Sequence, residues 1–184
     1  MTGIATLPPQ KIDSGVVHIK LTEGRLGKLT FKGNSQTRAE YIKERIALPA
    51  PGEVVDVPRI GRDITWFNRT NDVQIRALLS PGADFGLTDL QIAVTEPAVN
   101  TWQIIADNQG VQSTGRYQAA SFFRRYGLLG IDDRLTFYGT HSQGQLNGNL
   151  AYNFPVNRWG GRLGLSYSRG GIEIVQGPFS ALEV

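Results

Sequence analysis

The sequence predicts an α+β unit followed by an antiparallel all-β meander, and three observations lead there. Residues 27–96 read as strand, helix, helix, strand, strand. From Pro97 onward there is no lysine, and short alternating stretches are divided by Gly, Asn and Asp. The clearest of them, "QLNGNLAYNFPVNRWGGRLGLSYSRG" at 145–170, carries an every-other rhythm twice. A period of two is what a strand shows when its faces meet different surroundings.

In the first region "GVVHIKLTEG" (Gly15 to Gly24) and "RLGKLTFKGN" (Arg25 to Asn34) read as strands ending in glycine-containing turns. Thr37 with Glu40 three residues on reads as a capping box for "TRAEYIKERI", with Ile42 and Ile46 on one face. "PAPGE" breaks that helix. Asp56 caps a second one, which tolerates Pro58 in its first turn, places Ile60, Ile64 and Phe67 on one face and is weakened by Gly61. "DVQIRALLSPG" and "LTDLQIAVTEP" then form a hairpin around "SPGADFG".

After Pro97 the expected strands are Thr101 to Asn108, Ser113 to Arg124, Arg134 to His141, Gln145 to Phe154 and Trp159 to Arg169, with a sixth beginning at Ile172. Their lengths suit a tilted membrane strand. On residues alone two architectures stay open. In a soluble sandwich the apolar face meets a protein core; in a membrane barrel it meets lipid while the polar face lines a wet lumen.

Composition narrows the chemistry. Residues 1–96 hold 12 Lys+Arg against 11 Asp+Glu, and residues 97–184 hold 7 against 5, so neither half is a polycation. That balance gives no support for a nucleic-acid partner, which calls for a clustered basic face. With no cysteine, disulfide frameworks, thiolate catalysis and zinc ribbons are excluded. "MTGIATLPPQKIDSG" has neither a basic head before an apolar stretch nor a cleavage site, so the chain as given reads without an export signal.

The words "LPPQKIDSGVVHIKLTEGRLGKLTFKGN", "LLSPGADFGLTDLQIAVTEP", "ADNQGVQSTGRYQAA" and "YGLLGIDDRLTFYGTHSQG" span nearly the whole chain in unbroken order. Together they resemble the outer-membrane transporters of two-partner secretion, which export haemolysins and filamentous haemagglutinin-like proteins. The resemblance implies that residues 1–25 are the closing hairpin of a first POTRA domain and residues 26–96 a second POTRA domain. Residues 97–184 would be the first five to six strands of a transmembrane β-barrel, incomplete in this segment. It also implies a Gram-negative outer membrane, with the POTRA part in the periplasm. Two positions depart from the family's pattern: "RTND" stands where a Leu-Pro-Gly-like turn is usual after the second helix, and Gly61 where a stronger helix former is usual.

Candidate site residues follow from phase. Leu146, Leu150, Tyr152 and Phe154, with Leu163, Leu165 and Tyr167, are expected to face lipid. Arg116, Arg134 and Arg162, beside Gln118, Thr136 and Ser166, are expected to face the lumen, because a charge at mid-depth in lipid costs about 2–4 kcal/mol. Trp102, Tyr117, Phe137 and Trp159 join Tyr152, Phe154 and Tyr167 as interface aromatics or as ordinary core. His18 and His141 lie more than a hundred positions apart with no acid at ligand spacing, so neither a metal site nor a triad is expected. Asp132 and Asp133 follow Gly130 in a short connection and read as turn residues rather than an acid/base pair. "SPGADFG" lacks the Lys-Ser/Thr of a phosphate loop, and no nucleotide or other cofactor is expected.

The implied function is secretion. A periplasmic POTRA domain would receive an extended client, a secreted protein with an N-terminal secretion domain, and the barrel in outer-membrane lipid would conduct it outward. Capture would rest on strand addition at an edge, for which Val73 to Leu79 is the candidate: Gln74, Arg76 and Leu78 on one face, Val73, Ile75, Ala77 and Leu79 on the other, with Val73 and Ile75 leading the helix-packing side. The competing reading is a soluble periplasmic α+β protein-binding module with a β-sandwich partner domain. An enzyme is the remaining class and lacks a convergent acid, base and nucleophile set.

Overall fold

The structure, a computed structural model, describes residues 3–10 and 15–177. It divides into two units, residues 1–96 and 97–184. In the first, β1 (Gly3–Thr6) and β2 (Lys20–Glu23) pair antiparallel. The strand expected over Gly15 to Gly24 is thus confined to Lys20–Glu23. Upstream, the side-chain amide of Gln10 takes the place of a neighbouring strand for His18, accepting from its N–H at 2.7 Å and donating to its carbonyl at 2.8 Å.

β3 (Arg25–Lys32), α1 (Ala39–Lys43), α2 (Val57–Thr70), β4 (Gln74–Pro81) and β5 (Leu87–Thr95) follow in that order. The sheet order is β3-β5-β4, with β3 parallel and β4 antiparallel to the central β5. A parallel pair needs a long crossover, which the two helices supply. Beneath them Leu26, Tyr41, Ile42, Ile46, Val55, Ile60, Phe67, Val73, Ile75, Leu90 and Ile92 are buried. Each such aliphatic or aromatic side chain contributes on the order of 1.5–3 kcal/mol. Asp56 caps α2 by accepting from Arg59 N, and Pro58 sits in the first turn.

The capping box at Thr37 and Glu40 does not form. α1 begins at Ala39 with Arg38 at the cap and no capping side-chain bond from it. The carboxylate that closes this end comes from Glu96, about sixty residues away, which accepts from the backbone N–H groups of Ser35 (3.1 Å), Gln36 (3.0 Å) and Thr37 (2.6 Å) and from the Ser35 hydroxyl (2.6 Å). Partial burial pushes the Glu96 pKa up, but hydrogen bonds from Ser35, Thr37 and Gln36 outweigh it and hold the carboxyl below its ordinary 4.5. A depressed carboxyl contributes stability that is full above the unfolded value and is lost as pH falls through the folded one. The denaturant midpoint of this unit is therefore expected to fall on acidification below about 4.5, and Glu96→Gln to flatten that fall; equal acid sensitivity in both proteins would remove Glu96 as its source.

In the second unit β6 (Asn100–Asp107), β7 (Gln118–Tyr126), β8 (Arg134–Ser142), β9 (Gln145–Pro155) and β10 (Arg162–Ile172) form one antiparallel meander, each strand paired with the next. Three expectations are corrected. Residues Gln112–Thr114 make a 3₁₀ turn and Gly115 takes φ +106°, so the second strand starts at Gln118 rather than Ser113. Trp159 lies in the connection before β10, whose start moves to Arg162. No sixth strand begins at Ile172 among the described residues: Ile172 is the last residue of β10, and beyond it Glu173 N–H donates to Gly144 O (2.7 Å) and Val175 N–H to Ser113 O (2.8 Å).

Candidate functional site

β4 lies at the edge of its sheet, pairing with β5 only. Val73 and Ile75 are wholly buried, as expected for the side that α2 covers. Coverage ends there: Ala77 is half-buried and Leu79 is exposed, which corrects its placement in the packed face, while Leu78 on the opposite face is also exposed. Helix and turn contacts cluster at the start of the strand. The Asn68 side chain accepts from Ile75 N–H (2.8 Å) and donates to Ile75 O (3.0 Å), and the Gln74 amide donates to Asn68 O (3.1 Å).

"RTND" has its own closing device. Asn71 N–H and its side-chain amide both donate to Phe67 O, ending α2, and the Asn71 side-chain oxygen accepts from Tyr41 OH. An asparagine here does by hydrogen bonding what a tight turn residue does by backbone preference.

In the second unit the register sorts every strand residue onto one of two faces, because directly opposed residues share a face. One face carries Trp102, Phe123, Phe137, Leu150 and Tyr167 in a single cross-strand row, with Leu146, Leu163 and Leu165 on the same side. Leu146, Leu150, Leu163, Leu165 and Tyr167 are exposed, as are Trp102, Phe137 and Ile104. Residues 97–177 form no second sheet that covers this side. The other face carries Gln103, Arg124, Arg134, Thr136, Asn147, Asn149, Asn153, Arg162, Ser166 and Ser168, with Ile105, Phe122 and Tyr138 among them, while Arg125, His141 and Arg169 share the first face. Arg134 and Arg162 therefore stand on the polar side. Arg116 does not: it is exposed in the connection before β7, outside any strand, so the alternation assigns it no face.

Tyr152 and Phe154 belong to the apolar face by register but are half-buried, their rings 5.6 Å apart. The Tyr152 hydroxyl donates to Asp133 Oδ2 at 2.8 Å. That contact belongs to a cluster at the β7–β8 turn, the place where sequence reasoning saw only turn residues. Asp132 and Asp133 are both fully buried. Asp132, at φ +62°, receives Arg162 Nη1 (2.7 Å) and Tyr126 OH (3.0 Å) on its carboxylate and Arg162 Nη2 on its carbonyl (2.7 Å). Asp133 accepts from Leu129 N–H (3.0 Å). Neither carboxylate is left to act as an acid or base on a substrate; both are occupied in tying β7, β9 and β10 to one turn.

His18 and His141 are exposed and in different units. Among the described residues no group of three or more His, Cys, Asp or Glu side chains could hold a metal ion, and no helix is long and apolar enough to cross a membrane.

An α+β unit with an open sheet edge, joined to one antiparallel sheet with an oily and a polar side, is the organisation of a POTRA domain running into the start of an outer-membrane β-barrel. The chain belongs to the haemolysin secretion/activation proteins ShlB/FhaC/HecB, the two-partner secretion transporters, whose family model matches residues 86–177. It is 28% identical over 176 residues to the outer membrane transporter CdiB of Dickeya dadantii, covering 92% of this chain and 30% of that protein. It is 25% identical over 165 residues to the heme/hemopexin transporter protein HuxB of Haemophilus influenzae, covering 88% and 29%. Among solved structures it shares its fold with CdiB from Escherichia coli (TM-score 0.57, 23% identity, 91% of this chain and 32% of that one). BamA from Haemophilus ducreyi lacking POTRA domains 1–3 has the same fold (TM-score 0.57, 15% identity, 92% and 33%). The chain spans about three tenths of the length of the curated relatives it matches.

Proposed function

We propose that this segment is the working junction of an outer-membrane transporter of two-partner, or type V, secretion. Residues 26–96 are a periplasmic POTRA domain that receives an extended client, a secreted protein with an N-terminal secretion domain, and residues 97–184 open the barrel that exports it. The observation that carries the reading is the uncovered row of Trp102, Phe123, Phe137, Leu150 and Tyr167, backed on the other side of the same strands by a mixed face of Asn, Ser, Thr and Arg with Ile105, Phe122 and Tyr138 among them. A sandwich would bury that row under a second sheet; lipid would cover it in a barrel wall.

In this reading Leu146, Leu150, Leu163, Leu165 and Tyr167 meet acyl chains, with Tyr152 and Phe154 at the margin where the turn is tied down. Arg134 and Arg162 stand on the lumen side, where the Arg162 charge is balanced by the buried Asp132 carboxylate. An open sheet in hydrocarbon would leave unpaired N–H and C=O groups at β6 and β10, so conduction requires a wall completed by further strands. In this reading the chain's transport uses no nucleotide.

Client capture falls to the edge strand at Val73 to Leu79, where backbone bonds supply affinity and alternate side chains supply selectivity. Ala77→Pro in the full-length transporter removes one outward N–H while leaving the ladder to β5 intact, because proline is tolerated on the free side of an edge. Export of the client is expected to fall at least tenfold while the protein still reaches the membrane. Unchanged export would sink the edge-capture reading.

A further inference from the structure

The edge of β4 is open over only part of its length, and the boundary is set by one side chain. Gly82 N–H donates to Leu87 O at 2.9 Å, extending the register in which Ser80 opposes Asp89. Even-numbered positions therefore bond inward to β5, and the odd-numbered ones, 75, 77, 79 and 81, turn their backbone groups outward. At Ile75 both outward groups are already taken: Asn68, from α2, accepts from the N–H at 2.8 Å and donates to the C=O at 3.0 Å, as a paired strand residue would. At the far end Pro81 has no N–H to offer. Between them nothing among the described residues bonds the outward N–H and C=O of Ala77 and Leu79. Beside this gap Leu78 and Leu79 are exposed, at 52% and 41%.

We propose that Asn68 is the register stop for an incoming client strand, so that the client pairs with Ala77 and Leu79 and not with Ile75. This rests on the edge-capture reading and deepens it. The ligand class is an extended stretch about three residues long at its point of contact, with no proline opposite Ala77 or Leu79. Register matters because a slip of one residue exchanges every client side chain between the two faces of the sheet. A fixed stop lets a short pairing be specific. Asn68 acts through the backbone of β4 and not by touching the client, so it is a positioning residue. The same device recurs at His18, where Gln10 closes both backbone groups, which shows how a side-chain amide withdraws an extended residue from pairing in this chain.

The test is residue-resolved amide exchange on the full-length protein in lipid nanodiscs, with an N-acetylated peptide of alternating Thr and Val as probe at up to millimolar concentration. In the unmodified protein Ile75 exchanges slowly with or without peptide, while Ala77 and Leu79 are fast alone and slowed by it. Asn68→Ala is expected to make Ile75 fast in the free protein, to let the peptide protect it, and to tighten peptide binding about tenfold through two added backbone bonds. Asn68→Asp keeps an acceptor for the Ile75 N–H but loses the donor to its carbonyl, and is expected to fall between. It also serves as the folded control should the alanine variant be unstable. If the peptide protects Ala77 and Leu79 equally in all three proteins, while Ile75 protection and affinity do not change, the stop is refuted and edge capture stands. If Ala77 and Leu79 are never protected, edge capture fails and the stop fails with it.

Discussion

Asp132→Ala is expected to destabilise the second unit by about 3–5 kcal/mol, the range found when one partner of a buried ion pair is removed. Asp132 is fully buried, and its loss strands the Arg162 guanidinium, whose side chain is only 18% exposed, at 2.7 Å from nothing that balances it. The Tyr126 hydroxyl, 3.0 Å from the same carboxylate, loses its acceptor as well. A second cost comes from the backbone, since φ +62° is a conformation that Asp and Asn adopt more readily than Ala. Asp132→Asn separates the two: it keeps the backbone preference and an acceptor while removing the charge, and should cost clearly less than the alanine change. Denaturant unfolding of the full-length protein in detergent measures both. A loss under about 1 kcal/mol for Asp132→Ala would mean that the cluster does not hold the β7–β8 turn.

Leu150→Arg has the next largest expected effect, about 2–4 kcal/mol, if the apolar face lies in hydrocarbon near mid-depth. Its neighbour on β9 is the control. Asn149 stands on the polar face opposite Tyr138 and Ser168, where Asn149→Arg would place the same charge in a wet lumen at almost no cost. The two substitutions differ by one position and by one face. Unfolding from lipid vesicles should separate them by two or more kcal/mol, and equal, small losses would show that neither face meets lipid.

Much of this fold was legible because its signals are local. Asp56 followed by Pro58 marks a helix start that depends on residues within one turn of each other, and α2 begins there. Alternation in 145–170 gave the two faces of β9 and β10 because a period of two survives any tertiary arrangement that keeps the strand straight. Failures occurred where a partner came from far along the chain. Thr37 and Glu40 have the spacing of a capping box, but Glu96 takes the Thr37 N–H, together with those of Ser35 and Gln36, from about sixty residues away, and no window of sequence contains both ends of that contact. Ser113 to Tyr117 reads as part of the strand that follows it, and the 3₁₀ turn over Gln112–Thr114 with the positive φ of Gly115 turns the chain aside.

The candidate site divides in the same way. The edge position of β4 follows from the order of elements, but its blockage at Ile75 depends on an asparagine whose amide reaches the strand only once its helix has packed there. One signal was available in "FNRTND": two asparagines at the end of a helix, where the residue type is a poor helix former and a good backbone mimic. Similarly, Asp132 was identified as a turn residue, while its pairing with Arg162, thirty residues on, required the meander to close first.

The apolar side of the meander also contains a line where side chains almost vanish. Gly139 and Gly148 oppose each other directly, with Ser121 beside Gly139 and open space above Gly148. Phe137 leans over Gly139 and shields it, but nothing does so for Gly148. Two facing backbones without Cβ atoms, between Ile104 with Ser121 on one side and Arg169 on the other, are where a sheet bends at least steric cost. Such a line is an axis about which the sheet can bend, with the aromatic row next to it as the shoulder.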